Sequence, residues 1–289
     1  MKIFKYILEA IFVYFLFLII KVFGLNFGRK ISSTIFLKIG LFFRSRELVE
    51  KNISYVFGNT NNSEKIIKSM LTNYGKVFAE YVFLNKFHSN GFKEPHIQIS
   101  GKEILEDIVN KNKQAIFISG HFANFELMAM ELEKYKIKLA TIYRPLNNFF
   151  LNPFMVYLRK NYICKNQIKK GFRGTVEAVE YMKKKYSIAL MVDQRLGQSE
   201  RYPFFNKPAH TTTLPAQLAI RFNCKIVPIY LERKQDDLFK MEIMKPIEVN
   251  IQNDSEKEKK AITLKINSIV EKMILKNPGQ WIWTHNRWK

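Results

Sequence analysis

The chain of 289 residues carries 47 Lys and Arg against 25 Asp and Glu, a formal net charge of +22. With 47% hydrophobic residues, 14% aromatics, 12 Gly and 9 Pro, it is too apolar to be disordered and too poor in glycine to be collagen-like. A charge this large implies a negatively charged neighbour: nucleic acid, an anionic membrane leaflet, an acidic protein or a phosphorylated substrate.

The first element selects among these. From Ile7 to Leu25 the only charges are Glu9 and Lys21, and Ala10 to Ile20 is unbroken apolar sequence. As a helix, these 19 residues reach about 28 Å, close to the roughly 30 Å hydrocarbon core of a bilayer. A membrane anchor over residues 1–27, spanning or lying in the interface, is therefore expected, with a folded body over residues 28–289. A cleaved signal peptide lacks a clear small-x-small site after the run, and a core helix is the remaining alternative. Lys2 and Lys5 precede the run while Lys21, Arg29, Lys30 and Lys38 follow it, which places the body on the cytoplasmic side. Membrane attachment counts against a nucleic-acid role.

Ser63 and Glu64 open an amphipathic helical run to about Phe87, with Ile66, Ile67, Met70, Leu71, Val77 and Phe78 at helical spacings. Apolar runs of strand length then recur at Ala115 to Ser119, Leu139 to Tyr143, Ile188 to Val192 and Cys224 to Leu231. Between them lie helix-like segments at Asn124 to Lys134, Asn152 to Lys160, Gly174 to Lys185 and Pro215 to Phe222. One more strand is expected over Phe239 to Val249, and a last amphipathic helix over Ser255 to Leu275. Strands alternating with crossover helices make an α/β body. Basic clusters fall at Lys165, Lys169, Lys170 and Arg173, at Lys183 to Lys185, and at Lys257, Lys259 and Lys260. Cys164 and Cys224 cannot make a disulfide framework, and no Cys-x-x-Cys or His-x-x-x-His spacing suggests a metal site. Both thiols are expected in the core of a protein from a reducing compartment.

Ligands in α/β folds gather where strands end. The first strong run passes through Ser119-Gly120 into His121, with Glu126 five positions on. Residues five apart on one regular helix do not face each other. The two side chains meet only if His121 sits in the turn and Glu126 in the first turn of the following helix. A carboxylate on one imidazole nitrogen fixes the tautomer and leaves the other nitrogen free to take a proton from a hydroxyl. A hydrogen-bonded structural histidine is the alternative.

The stretch Gly120-His121-Phe122-Ala123-Asn124-Phe125-Glu126 resembles the His-(four residues)-acidic motif of the lysophospholipid acyltransferase superfamily. More narrowly, it resembles the lauroyl and myristoyl transferases of lipid A biosynthesis. Tyr143-Arg144-Pro145, Lys170-Gly171-Phe172-Arg173-Gly174, Val192-Asp193-Gln194, Pro203-Phe204-Phe205 and the segment Trp281 to Trp288 resemble that family's other blocks, in the same order. The resemblance implies a mixed central sheet flanked by helices, as in glycerolphosphate acyltransferases, with an N-terminal membrane helix. It implies transfer of a fatty acyl chain from acyl carrier protein to a hydroxyl of the Kdo-modified lipid A precursor at the bacterial inner membrane. In the family pattern His121 is the general base and Glu126 its partner, with no metal or organic cofactor. Arg144 and Arg173 would clamp substrate phosphates or lie near the developing oxyanion, or else act as surface arginines. Asp193 closes a strand and would orient one of these arginines or serve as a cap. Thr211, Thr212 and Thr213 precede a helix as caps or as a phosphate site, and the terminal tryptophans fit an interfacial belt or a core. The acyl pocket is expected to draw on the 25 phenylalanines. Acyl transfer to a phospholipid, glycolipid or aminolipid, and a noncatalytic protein binding anionic lipid or nucleic acid, remain as other readings.

Overall fold

The N-terminal apolar run folds as α1 (Lys2–Phe23), followed after Gly24 by α2 (Leu25–Ile39), α3 (Arg46–Phe57) and α4 (Ser63–Glu80). The computed structural model describes residues 2–40, 45–58, 60–195, 199–250 and 254–289. Gly24 has a φ of +88°, a conformation that glycine adopts without steric penalty and that turns the chain sharply between the two helices. Ser45 caps α3 by accepting the Leu48 amide. The α4 helix crosses α2 so closely that a Cβ on Gly75 would come within 2.5 Å of the Ser33 backbone. The helical run expected to continue to Phe87 is interrupted by a 3-10 turn at Tyr81–Phe83 before α5 (Leu84–His88). That tightened turn is where the Tyr81 hydroxyl reaches Glu126.

The body then alternates β1 (Ile97–Ser100), α6 (Lys102–Asn110), β2 (Ala115–Ser119), α7 (Glu126–Lys134), β3 (Leu139–Tyr143), α8 (Asn152–Tyr162), β4 (Asn166–Lys169), α9 (Phe172–Lys183) and β5 (Ser187–Met191). A hairpin, β6 (Arg201–Phe204) and β7 (Lys207–His210), leads to α10 (Leu214–Phe222), β8 (Lys225–Arg233), β9 (Phe239–Ile243) and α11 (Ser255–Lys276). Seven strands form one mixed sheet in the order β1-β9-β8-β2-β5-β3-β4, antiparallel only between β8 and β9. The α/β expectation and the four central strands are borne out. The strand expected over Phe239 to Val249 stops at Ile243, because Pro246 offers no amide to a ladder and Ile247 keeps only a single bridge to Ile226.

Because β2 is buried along its whole length, its side chains alternate between two cores. Ile116 and Ile118 join α9, α10 and α11, while Ala115 and Phe117 join α6, α7 and α8. Truncating side chains buried this way costs roughly 2–5 kcal/mol each, so β2 is the rigid beam from which the next turn projects.

Candidate active site

Four parallel strands deliver polar side chains from their carboxyl ends to one place: His121 after β2, Arg144 after β3, Lys170 after β4 and Asp193 after β5. The register Ser119↔Met191 between β2 and β5, carried on by two residues, sets His121 beside Asp193. The Asp193 Oδ1 lies 2.8 Å from His121 Nδ1, and its Oδ2 accepts the His121 amide at 2.9 Å and the Trp281 indole N–H at 2.8 Å. An ionised carboxylate only accepts, so the imidazole proton sits on Nδ1 and Nε2 is left as the acceptor. Gly120 permits this approach, since a Cβ there would lie 2.6 Å from the Phe122 ring and 3.2 Å from Asp193 Cβ. Burial opposes charge on Asp193, but the neighbouring His121 and the donated hydrogen bonds prevail and hold its carboxyl down at about 2.

The structure corrects the expected His121–Glu126 hydrogen bond. His121 does lie off the helix and Glu126 does open α7, yet the Glu126 carboxylate serves other partners. Its Oε1 accepts Arg159 Nε at 2.9 Å, Arg159 Nη2 at 2.6 Å and the Tyr81 hydroxyl at 2.6 Å. The part-buried guanidinium of Arg159 on α8 requires a counter-charge, and Glu126 supplies it. Asp193, expected to orient an arginine or cap a strand, is instead the partner of the imidazole.

A cavity of about 410 Å³ opens beside these groups. His121, Glu126, Arg144, Arg159, Lys170 and Gln194 contribute its polar walls, and Met128, Ala129, Ile142, Ile163, Leu190 and Met191 much of the apolar lining. Among the described residues, two phenylalanines, Phe125 and Phe172, line it. Two of the 25 phenylalanines thus contribute, as expected, while most of the apolar lining is aliphatic. Lys170 stands at the mouth, its ammonium pushed below the usual lysine range by desolvation and by Arg144, with Asp193 opposing. Arg173 is exposed on the first turn of α9 and is not among the lining residues. Thr212 and Leu214 line the cavity, and the Thr212 hydroxyl accepts the Leu214 amide, a capping contact.

The aromatic C-terminus is core and not a belt: Trp281, Trp283 and Arg287 are all buried. Arg287 Nη1 donates to the Asp193 carbonyl at 2.8 Å, Nη2 to Asn267, and the guanidinium stacks 3.7 Å from the Phe204 ring centroid. Burial draws its pKa down to about 10, so it stays charged at neutral pH. Arg159, Trp281 and Arg287 carried no signal in periodicity, since each reaches the site across a long stretch of chain.

His285 is also held in this shell, its Nδ1 accepting the Arg195 amide at 3.2 Å. Desolvation first, then Lys170, His121 and Arg287, push it down to about 4 against the pull of Asp193. Between about pH 6.5 and 4 the unfolded chain binds a proton here that the folded chain refuses. Stability therefore falls as pH drops through that window, by on the order of 1 to 2 kcal/mol once solvent screening of the part-exposed ring is allowed for. Urea unfolding in detergent at pH 7 and pH 4.5 is expected to show this loss, and His285→Gln is expected to shrink the difference by about that amount.

Comparison with known proteins adds a second line of information. A family model described as bacterial lipid A biosynthesis acyltransferase matches residues 1–289. A lipid A biosynthesis acyltransferase of Haemophilus influenzae is 25% identical over 277 residues, covering 92% of this chain and 83% of the relative. A lipid A biosynthesis lauroyltransferase of Escherichia coli is 27% identical over 198 residues, covering 66% of this chain and 61% of the relative.

Proposed function

Since the chain belongs to the bacterial lipid A biosynthesis acyltransferase family and is thus an acyltransferase acting in that biosynthesis, we propose that His121 and Asp193 activate the acceptor hydroxyl. The donor is then an acyl carrier protein thioester, and the acceptor a 3-hydroxyacyl chain on the Kdo-modified lipid A precursor. The observation that carries this reading is the His121 Nδ1 to Asp193 Oδ1 contact at 2.8 Å, which leaves Nε2 as the acceptor of a ring that lines the cavity.

Chemistry follows from that arrangement. Nε2 takes the proton as the hydroxyl oxygen attacks the thioester carbonyl, because an alcohol is too weak an acid to attack unaided. The imidazolium that forms is stabilised by Asp193 and returns the proton to the departing thiolate as the carbon–sulfur bond breaks. No covalent enzyme intermediate is needed. The apolar walls suit an acyl chain, while Arg144 and Lys170 suit a phosphate at the mouth. Glu126 contributes by holding Arg159 in the wall beside His121, and the exposed Arg173 adds to the field that draws anions in. The net charge of +22 favours encounter with an acidic carrier and an anionic cytoplasmic leaflet of the inner membrane.

The test is acyl transfer in detergent micelles to the Kdo-modified precursor, with the carrier thioester compared against acyl-CoA. Preference for the carrier supports the donor assignment, and equal or better use of acyl-CoA with phospholipid acceptors overturns it. In the same assay Arg144→Gln and Lys170→Gln are each expected to raise KM for the phosphorylated acceptor roughly tenfold, the worth of one charge-assisted hydrogen bond. The kcat should change little, and Arg173→Gln should have a smaller effect.

A further inference from the structure

The α1 helix is apolar on every side, but the two halves of its surface have different fates. Tyr6, Ala10, Phe17 and Ile20 face the protein, and Phe4, Ile11, Phe15 and Leu18 stand out from it, each 60% exposed or more. The inward face is fastened along most of the helix. Asn148 Nδ2 donates to the Tyr6 carbonyl at 2.8 Å and to Glu9 at 3.2 Å, and the Tyr14 hydroxyl donates to the Phe150 carbonyl at 2.9 Å. Farther on, Phe17 packs against Phe78 and Phe154, and the Lys21 ammonium lies over the Phe83 ring.

These contacts run from Tyr6 to Lys21, about 22 Å of a helix about 33 Å long. A helix perpendicular to a bilayer would carry everything it touches into the hydrocarbon. Here that includes Glu9, Asn148 and the open loop before α8, whose backbone would have no water to satisfy it. The outward face presents a contiguous row of large apolar side chains, an arrangement that marks a membrane or partner surface. Phe149 and Phe150, both exposed, stand on the loop that is bonded to α1 and leaves the cavity wall at Tyr143 and Arg144. Lys2 and Lys5 are exposed at the N-terminal end of α1, and Lys30 is exposed on α2.

We infer that α1 does not cross the membrane but lies in the plane of an anionic phospholipid leaflet, its outward face and Phe149–Phe150 sunk among the acyl chains, on the same side as the body. The face that an isolated interfacial helix would turn to water is covered here by the protein itself, so α1 needs no polar stripe. The cavity mouth then opens beside the leaflet, and a lipid substrate can reach it laterally. This inference stands on packing alone and does not depend on the chemistry assigned to His121.

Two measurements on the full chain in sealed inside-out membrane vesicles test it. With Lys2→Cys and, separately, Lys257→Cys on α11, an impermeant maleimide is expected to label both from the same side. The unsubstituted chain, whose Cys164 and Cys224 are buried, gives the background. Labelling from opposite sides overturns the inference. Environment-sensitive labels on Phe4→Cys, Ile11→Cys and Leu18→Cys, spaced by seven residues on the outward face, should report similar shallow depths in phosphatidylethanolamine–phosphatidylglycerol vesicles. A profile in which Ile11 lies about 10 Å deeper than the other two would be that of a spanning helix and would equally overturn it.

Discussion

His121→Ala is expected to lower acyl transfer by at least about 10²-fold at saturating substrates while leaving the folded state intact, because the side chain is partly open to the cavity and, among the described residues, only its Nδ1 is bonded to the protein. Asp193→Asn should fall by roughly 10²–10⁴ for a related reason. Asp193 accepts from the His121 ring, the His121 amide and the Trp281 indole. An amide in its place turns an N–H toward one of those donors and either breaks a bond or drives the imidazole into the tautomer whose Nε2 cannot accept. If the two side chains act as one unit, Asp193→Asn in the His121→Ala background should add less than about tenfold, since there is no imidazole left to orient. Additive losses would show that Asp193 does not act through His121, and native-level activity in folded His121→Ala would remove His121 from the reaction. Glu126→Gln separates the two carboxylates. Its effect is expected through Arg159 and should persist undiminished when His121 is already alanine.

How the site was readable follows from where its parts come from. The strand-to-turn step at Ser119-Gly120-His121 is local, and the end of the apolar β2 run is what put His121 in the turn before α7. What spacing could not supply was the partner. Choosing between Glu126 and Asp193 requires knowing that β5 lies next to β2 in register, a long-range fact. Trp281 and Arg287, which fix Asp193 from the far end of the chain, were legible only as an aromatic-basic cluster with two readings. The long hydrophobic strands were clear, whereas β1 and β4, four residues each, and the β6–β7 hairpin are too short and too polar to show a period. The N-terminal run was legible as one long apolar helix; its inward stripe emerged only from the contacts it makes with α4, α8 and the loop before α8.

Glu80→Ala is the substitution expected to destabilise the fold most, by about 3–5 kcal/mol, the usual cost of leaving a buried ionic group without its partner. Glu80 is fully buried on the last turn of α4 and accepts Arg29 from α2 and Arg233 from β8, at 2.7 Å and 2.9 Å for their Nη2 atoms. Burial works against its charge, and the two guanidiniums overcome this and hold its carboxyl below the ordinary range. Removing the carboxylate leaves two buried cations with, among the described residues, Asp237 as the remaining counter-charge, at 3.4 Å and 3.6 Å. Urea unfolding in detergent should show the midpoint falling at constant slope. The double variant Glu80→Ala/Arg233→Ala should be less destabilised than the sum of its parts, because the second change removes one of the stranded charges. A loss below about 1 kcal/mol would mean that water reaches Arg29 and Arg233 and screens them. Glu80 also accepts the Asn124 amide at 2.9 Å, and Asn124 belongs to the turn between His121 and Glu126. The same carboxylate that joins α2, α4 and β8 thus pins the loop that carries the imidazole. Glu80→Gln keeps an oxygen for Asn124 but not the charge, so it should retain more activity per folded molecule than Glu80→Ala while recovering little of the lost stability.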